Sequence, residues 1–213
     1  MEHVTIIDNW RDLPLGVYLD ILNIEKTETD ELARQVAILS ALTGLDGSAV
    51  LDLPLVEYKR LRAAAGFLTE PCPDDLLRVA DRYPAGDFVL RPVPDYEGLT
   101  VAQYVDFQTF SRMGEQALPQ LLSVLLIPNG RHYADGYDMR AVQAAIRDWI
   151  NVADALALAA HFFVSSSASI AATLDYSRAL AGKMEPGPTR DRVQEKLKEV
   201  DSLLSRIAGD GSL

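Results

Sequence analysis

An eleven-residue segment near the start of this chain recurs, loosely, in its second half. The segment WRDLPLGVYLD begins at Trp10, and YEGLTVAQYVD begins 86 residues later at Tyr96. Six positions keep the residue or its class, in the order aromatic, leucine, aliphatic, tyrosine, aliphatic and aspartate. An internal repeat constrains a fold more than a single motif does, because both copies must form similar elements in the same order. The sequence therefore predicts a duplication of a small helical unit.

The predicted elements follow the same order in both copies. A short β-prone run comes first, at residues 3–7 and 88–93. Three helices then follow in each copy, of which the first is expected at 15–22 and 101–110, the second around 39–42 and 122–125, and the third at 55–67 and 152–163. The copies should superpose over residues 3–68 and 89–163 and differ mainly in the loops 43–47 and 128–138, since loops tolerate insertions.

The fold class predicted from these patterns is mainly α with a small β element. The expected divisions are a first helical repeat (1–69), a linker with a short helix at 76–82 (70–88), a second helical repeat (89–164) and C-terminal helices (165–213). Pro92 has no backbone donor, so its β run is expected at a sheet edge or in an irregular strand. Tyr18 and Tyr104 are predicted to be largely buried, each anchoring the first helix of its copy.

The C-terminal region contains a candidate protein-binding helix. Its apolar residues are spaced by four, three, four and three positions, and they are Val193, Leu197, Val200, Leu204 and Ile207. A narrow stripe of this kind is typical of a coiled-coil seam or of a helix that docks in a groove. The preceding break at Pro186-Gly187-Pro188 favours a helix that binds another chain, although packing on its own domain remains the alternative.

The acidic charge balance argues against nucleic acid as a direct partner. The 213 residues include 20 lysines and arginines against 31 aspartates and glutamates, which gives a net charge of −11 and a pI of about 4.7. Such a surface is repelled on average by a phosphate backbone. The longest apolar run, residues 153–164, is too short to span a bilayer, so we also predict no membrane span. The single cysteine, Cys72, excludes an intramolecular disulfide.

The residue types that carry chemistry are sparse and scattered. The three histidines, His3, His132 and His161, do not form a zinc-type spacing, and His161 is expected to be a core residue of an apolar helix. Cys72 stands between two prolines and has no adjacent base that would activate it. Asp20 and Asp106 occupy equivalent repeat positions, where we expect them to bond to nearby backbone. The sequence therefore predicts a protein that is not an enzyme and that needs no cofactor or metal.

Three segments of the second copy carry a resemblance to a known family. They are YEGLTVAQYVDFQTF from Tyr96, LLSVLLIP ending at Pro128 and DALALAAHFF ending at Phe163. This succession resembles virion-assembly proteins of tailed bacteriophages and is similar to their tail assembly chaperones. The resemblance covers residues 96–164 well and 10–68 weakly, since Pro14 replaces the threonine of the pattern and the first copy lacks its aliphatic-proline boundary.

The resemblance implies a non-enzymatic assembly role with other phage structural proteins, such as tape-measure or tail proteins. It implies location in the host cytoplasm during assembly, or in the virion. Two alternatives stay open, namely a retained structural component of the head–tail region or tail, and a bacterial adaptor domain that binds a helix. Formation of a homo-oligomer also stays open.

Overall fold

The computed structural model of the chain describes residues 4–165. The chain divides into two compact units, Met1–Phe162 and Phe163–Leu213, and the first unit contains nearly all of the described residues. The five predicted binding residues of the C-terminal helix, Val193, Leu197, Val200, Leu204 and Ile207, lie outside the described residues. Their role therefore stays a prediction.

The described part of the chain is mainly helical with a small antiparallel sheet, which confirms the predicted fold class. Its helices are α1 (Leu15–Thr27), α2 (Glu31–Thr43), α3 (Gly47–Leu51), α4 (Leu55–Ala64), α5 (Val101–Phe110), α6 (Leu118–Leu125), α7 (Met139–Trp149) and α8 (152–165). Its strands are β1 (Tyr83–Ala85), β2 (Phe88–Pro92) and β3 (Leu126–Pro128), in the order β1-β2-β3. Short 3-10 turns connect several of these elements.

The first helix of each copy begins at the same repeat position. α1 begins at Leu15 after Pro14, and α5 begins at Val101 after Thr100. The Thr100 hydroxyl accepts a hydrogen bond from the Gln103 backbone amide, and the Gln103 side-chain oxygen accepts one from the Thr100 backbone amide. The two residues therefore form a capping box. The capping box accounts for the start of α5, and the structure reproduces the predicted bounds of this helix.

Equivalent backbone hydrogen bonds connect the two copies' first segments to their second helices. The Ile7 amide donates to the Leu42 carbonyl at 3.1 Å, and the Val93 amide donates to the Leu125 carbonyl at 2.8 Å. Ile7 and Val93 are 86 positions apart, and Leu42 and Leu125 are 83 positions apart, which are the offsets of the sequence match. The two β-prone runs thus sit at equivalent sites, although residues 4–7 do not form a strand as predicted.

Equivalent aromatic pairs support the same relationship. The rings of Trp10 and Tyr18 meet edge to face with centroids 6.0 Å apart, and those of Tyr96 and Tyr104 do so at 5.9 Å. Each pair joins the segment before the first helix to the helix itself. Because pairs of this geometry contribute about 0.5–1.5 kcal/mol beyond their buried area, each pair stabilises the contact between these two segments.

The helix that precedes the last helix of each copy, α3 in the first copy and α7 in the second, differs most between the copies. Asp46 and Asp138 cap α3 and α7 by accepting the amide three residues further on, and Val50 and Val142 are buried at equivalent places. α3 has five residues, whereas α7 has eleven. The second copy therefore gains length in this helix as well as in the preceding loop, and the sequence analysis did not identify either helix.

Pro92 corrects the expectation of an edge or irregular strand, because β2 is the central strand of the sheet. The amides of Val93 and Asn129 donate across the β2–β3 pair at 2.8 Å each, so the odd-numbered residues of β2 bond to β3. The nitrogen of Pro92 faces the other side, where β1 begins only at Tyr83 and is too short to reach it. The missing donor therefore costs no ladder hydrogen bond.

The prediction of a linker helix at 76–82 is wrong. Only a 3-10 turn at Asp74–Leu76 forms, and residues 77–82 have no regular helix before β1. Such a short helix is unstable unless it packs on other elements. Here the chain instead places the Tyr83 hydroxyl against the Ala80 amide, which donates to it at 2.7 Å, and continues into the sheet.

The largest core cluster lies between the two copies. It contains the strand residues Tyr83 and Leu90 and many apolar side chains of α6, α7 and α8. Leu15 and Leu19 are its buried members from the first copy, and both are fully buried. α1 is therefore packed against its own α2 and also forms part of the core of the second copy.

Candidate protein-binding surfaces

A backbone contact joins the two copies where α1 and α8 begin. The Leu15 amide donates to the Ile150 carbonyl at 2.8 Å, and the Val152 amide donates to the Leu13 carbonyl at 2.9 Å. These two bonds flank an antiparallel bridge between the residues that precede α1 and α8. Each bond also satisfies a first-turn amide that has no acceptor within its own helix. We call the contact of residues 13–20 with residues 146–152 the internal junction.

Close approach of α1 to α7 completes the internal junction. A methyl group at Gly16 would lie 2.9 Å from the carbonyl oxygen of Arg147, a distance that real Cβ atoms do not show. The Arg147 guanidinium also donates to the carboxylate of Asp20 at 2.6 Å. This ion pair is exposed, so it positions the two helices more than it stabilises them.

The repeat equivalents of two buried and one half-buried α1 residue are exposed on α5. Leu15, Tyr18 and Leu19 correspond to Val101, Tyr104 and Val105. Val101 is 81% exposed, Val105 54% and Tyr104 43%. Residues spaced by three and four positions lie on one side of a helix, so these three side chains form a single apolar surface, the α5 face.

The α5 face corrects the prediction that both repeat tyrosines are largely buried. Tyr104 is exposed, and Tyr18 is only half-buried. The opposite side of α5 packs inward instead, through Phe107 and Gln103. The Gln103 amide group donates to the Val124 carbonyl at 2.9 Å, which satisfies this buried polar side chain.

A second exposed apolar surface lies where α3 ends and α4 begins. Its members are Leu51, Leu55 and Val56, whose exposed fractions are 62%, 65% and 81%. Residues 53–56 precede or open α4 as residues 150–152 precede or open α8. We call this the α4 surface, and it is the first copy's equivalent of the α8 side of the internal junction.

The two equivalent aspartates make side-chain contacts rather than the predicted backbone contacts. Asp20 pairs with Arg147, and Asp106 accepts a hydrogen bond from the Tyr133 hydroxyl at 2.6 Å. Burial and the Asp106 carboxylate raise the pKa of Tyr133 far above its usual value, so this hydroxyl stays protonated. Both aspartates therefore connect a first helix to residues of the second copy.

The loop around His132 uses its carboxylates for local structure. Asp135 accepts the His132 amide at 2.6 Å, and Asp138 caps α7. Among residues 4–165, no group of three or more histidine, cysteine, aspartate or glutamate side chains is arranged to hold a metal ion. His161 is exposed rather than buried as expected, and its ring meets that of Phe162 edge to face.

Cys72 lies in a shallow cleft beside α1. The cleft is lined by aromatic and aliphatic side chains that include Trp10, Tyr18 and Leu68. Burial raises the pKa of the Cys72 thiol, and the nearby charges of Asp75 and Asp74 raise it further. A nucleophilic cysteine needs the opposite shift, because the thiolate is the reactive form.

Alkylation of Cys72 should therefore be slow at neutral pH. We expect the rate with iodoacetamide to rise along a titration curve whose midpoint lies above the usual thiol pKa of about 8.5, because a raised pKa leaves less thiolate at each pH. The variant Asp74→Asn/Asp75→Asn should lower the midpoint part of the way, since burial remains. A midpoint below that of a cysteine-containing reference peptide would contradict the inert thiol and favour an enzyme.

No protein-family model matches the chain, and neither the curated proteins nor the solved structures contain a significant match to it. In the part of the chain that the structure describes, no helix is both long enough and apolar enough to cross a membrane.

Neither surface is among the binding residues predicted from the sequence, although the repeat contains a signal for one of them. Leu15, Tyr18 and Leu19 match apolar residues on α5, so the α5 face could be drawn from the sequence as a stripe. Contacts with α7 decide which of the two equivalent stripes is buried. No helix was predicted at the position of α7.

Proposed function

We propose that the chain is a non-enzymatic assembly protein of the bacteriophage type, similar to a tail assembly chaperone, that binds other virion proteins through helical surfaces. The observation that supports it best is the presence of two exposed apolar surfaces, the α5 face and the α4 surface, on a well-packed helical body. Contiguous exposed apolar residues mark protein-binding sites more often than isolated ones do. The resemblance of residues 96–164 to phage assembly proteins supplies the type of partner.

The chemistry of the described residues favours binding over catalysis. The candidate groups of the sequence analysis, namely Asp20, Asp106, His132 and Cys72, are engaged in local or interhelical contacts or lie in an apolar cleft. The net charge of −11 suits a partner with basic segments. The C-terminal stripe from Val193 to Ile207 remains a further candidate for the same partner.

Co-expression with neighbouring virion proteins tests this function. We expect the full chain to co-purify with the tape-measure or tail protein encoded beside it and to be absent from mature virions if it acts as a chaperone. The variant Val101→Lys should weaken the complex, whereas Leu32→Lys should not, because both residues are exposed in a first helical turn but only Val101 belongs to the α5 face.

The same measurements separate the alternatives. Quantitative mass spectrometry of purified virions would detect the chain at fixed stoichiometry if it is a retained structural component. Failure to form a complex with any virion protein encoded nearby would contradict the phage role and leave the bacterial helix-binding adaptor as the better explanation.

A further inference from the structure

We propose that the α5 face of one molecule docks on the α4 surface of a second copy of this chain, so that the junction between molecules repeats the internal junction. The proposal deepens the proposed function, since both assign protein binding to these surfaces. It names the occupant as the chain itself, and purified protein tests it without any virion component.

The first support is the equivalence of positions. The internal junction joins residues 13–15, which precede and open α1, to residues 150–152, which precede and open α8. The corresponding segments of the opposite copies are residues 99–101, which precede and open α5, and residues 53–56, which precede and open α4. Each molecule therefore contains one complete junction. It also carries the two separate halves of a second junction, which are the α5 face and the α4 surface.

The second support is the symmetry of the internal junction. If a two-fold axis related the copies, residues 99–101 would meet residues 53–56 within the same molecule. They do not, because Val101 and Val56 are each 81% exposed and Leu55 is 65% exposed. The relation between the copies is thus heterologous, and a heterologous contact leaves complementary surfaces free at the two ends.

The third support is the state of the backbone amides. Leu15 and Val152 use their first-turn amides to bond across the internal junction. The equivalent first-turn amides of Val101 and Leu55 donate to no acceptor among the described residues. Docking that repeats the internal junction would give each amide a carbonyl partner and would cover the apolar side chains beside it.

One difference between the copies limits how far the internal junction can be repeated. α3 is six residues shorter than α7, so it cannot reproduce the whole contact that α7 makes with α1. The position equivalent to Gly16 is Ala102, which fits a contact without the close helix approach at Arg147. The junction between molecules should therefore be centred on the helix starts and be weaker than the internal one.

Sedimentation velocity on the purified full chain tests the proposal. We expect the average mass to rise with concentration beyond that of a dimer, because heterologous contacts form rings or open chains. Val101→Lys and Val56→Lys should each abolish association, and Leu32→Lys should leave it unchanged. All three residues are exposed in a first helical turn, and each change makes the acidic chain less negative, so general repulsion falls equally.

Mixing the two defective variants gives the decisive measurement. Val101→Lys keeps its α4 surface and Val56→Lys keeps its α5 face, so an equimolar mixture should form heterodimers and nothing larger. The proposal is wrong if the wild type is still monomeric at about 1 mM, if either variant associates like the wild type, or if the mixture stays monomeric. A wild-type monomer would exclude a second copy as the occupant of the α5 face and the α4 surface. Complex formation with virion proteins would then still support the proposed function by itself.

Discussion

Leu19→Ala should lower the free energy of unfolding by about 3 kcal/mol, whereas the repeat-equivalent Val105→Ala should change it by less than about 0.5 kcal/mol. Leu19 is fully buried in the core cluster between the copies, so truncation removes apolar contacts and leaves a cavity. Val105 is 54% exposed at the same place on α5. Alanine also has the better helix propensity there.

Urea unfolding followed by tryptophan fluorescence measures both effects. The protein concentration should be low enough that the midpoint no longer depends on it, since self-association would stabilise the folded state. Trp10 is buried in the first copy and Trp149 is exposed in the second, so fluorescence reports on both. Equal losses for the two variants would mean that the α5 face is as covered as its α1 counterpart, which would contradict the docking argument.

Phe107→Ala should lower the free energy of unfolding by about 4 kcal/mol, a larger loss than that expected for Tyr104→Ala on the same helix. The Phe107 ring is only 2% exposed and packs among Val93, Leu121 and Phe162. Its neighbour Tyr104, one turn earlier, is 43% exposed, so Tyr104→Ala should cost less than about 1 kcal/mol.

The contrast between these two aromatic residues distinguishes stability from binding. We expect Tyr104→Ala to lower the unfolding midpoint only slightly, through loss of the Tyr96 contact, and to weaken association of the full chain, measured by sedimentation velocity. Phe107→Ala should lower the midpoint by chemical denaturation whether or not association occurs. A loss of about 3 kcal/mol for Tyr104→Ala would restore the expectation that both repeat tyrosines are structural anchors.

The parts of the fold that local signals determine could be predicted from the sequence. Thr100 and Gln103 form a capping box within four residues, and the predicted bounds of α5 match the structure. The β run at 88–93 appears as β2 because the β-prone residues Phe88 and Val89 follow the Gly86-Asp87 turn, which favours a hairpin. The order of elements in the two copies likewise follows from matched local patterns.

The parts that depend on long-range contacts could not be predicted. Leu15 and Val101 are similar residues at equivalent positions, yet one is buried and the other is 81% exposed. The difference arises because α7 covers α1, and α7 lies more than a hundred residues further along the chain. The sequence did contain a signal for α7, since Asp138 precedes apolar residues at Val142, Ala145 and Ile146, but the predicted elements left residues 139–149 unassigned between the expected loop and the last helix.

The unequal lengths of α3 and α7 have a consequence for stoichiometry. The long α7 makes the contact inside a molecule stronger than any contact that the short α3 could offer between molecules. Folding therefore joins the copies in pairs before a molecule meets another, and dilution separates molecules without separating the pair. Because the two copies also belong to one chain, any larger particle built from it would gain and lose repeats two at a time.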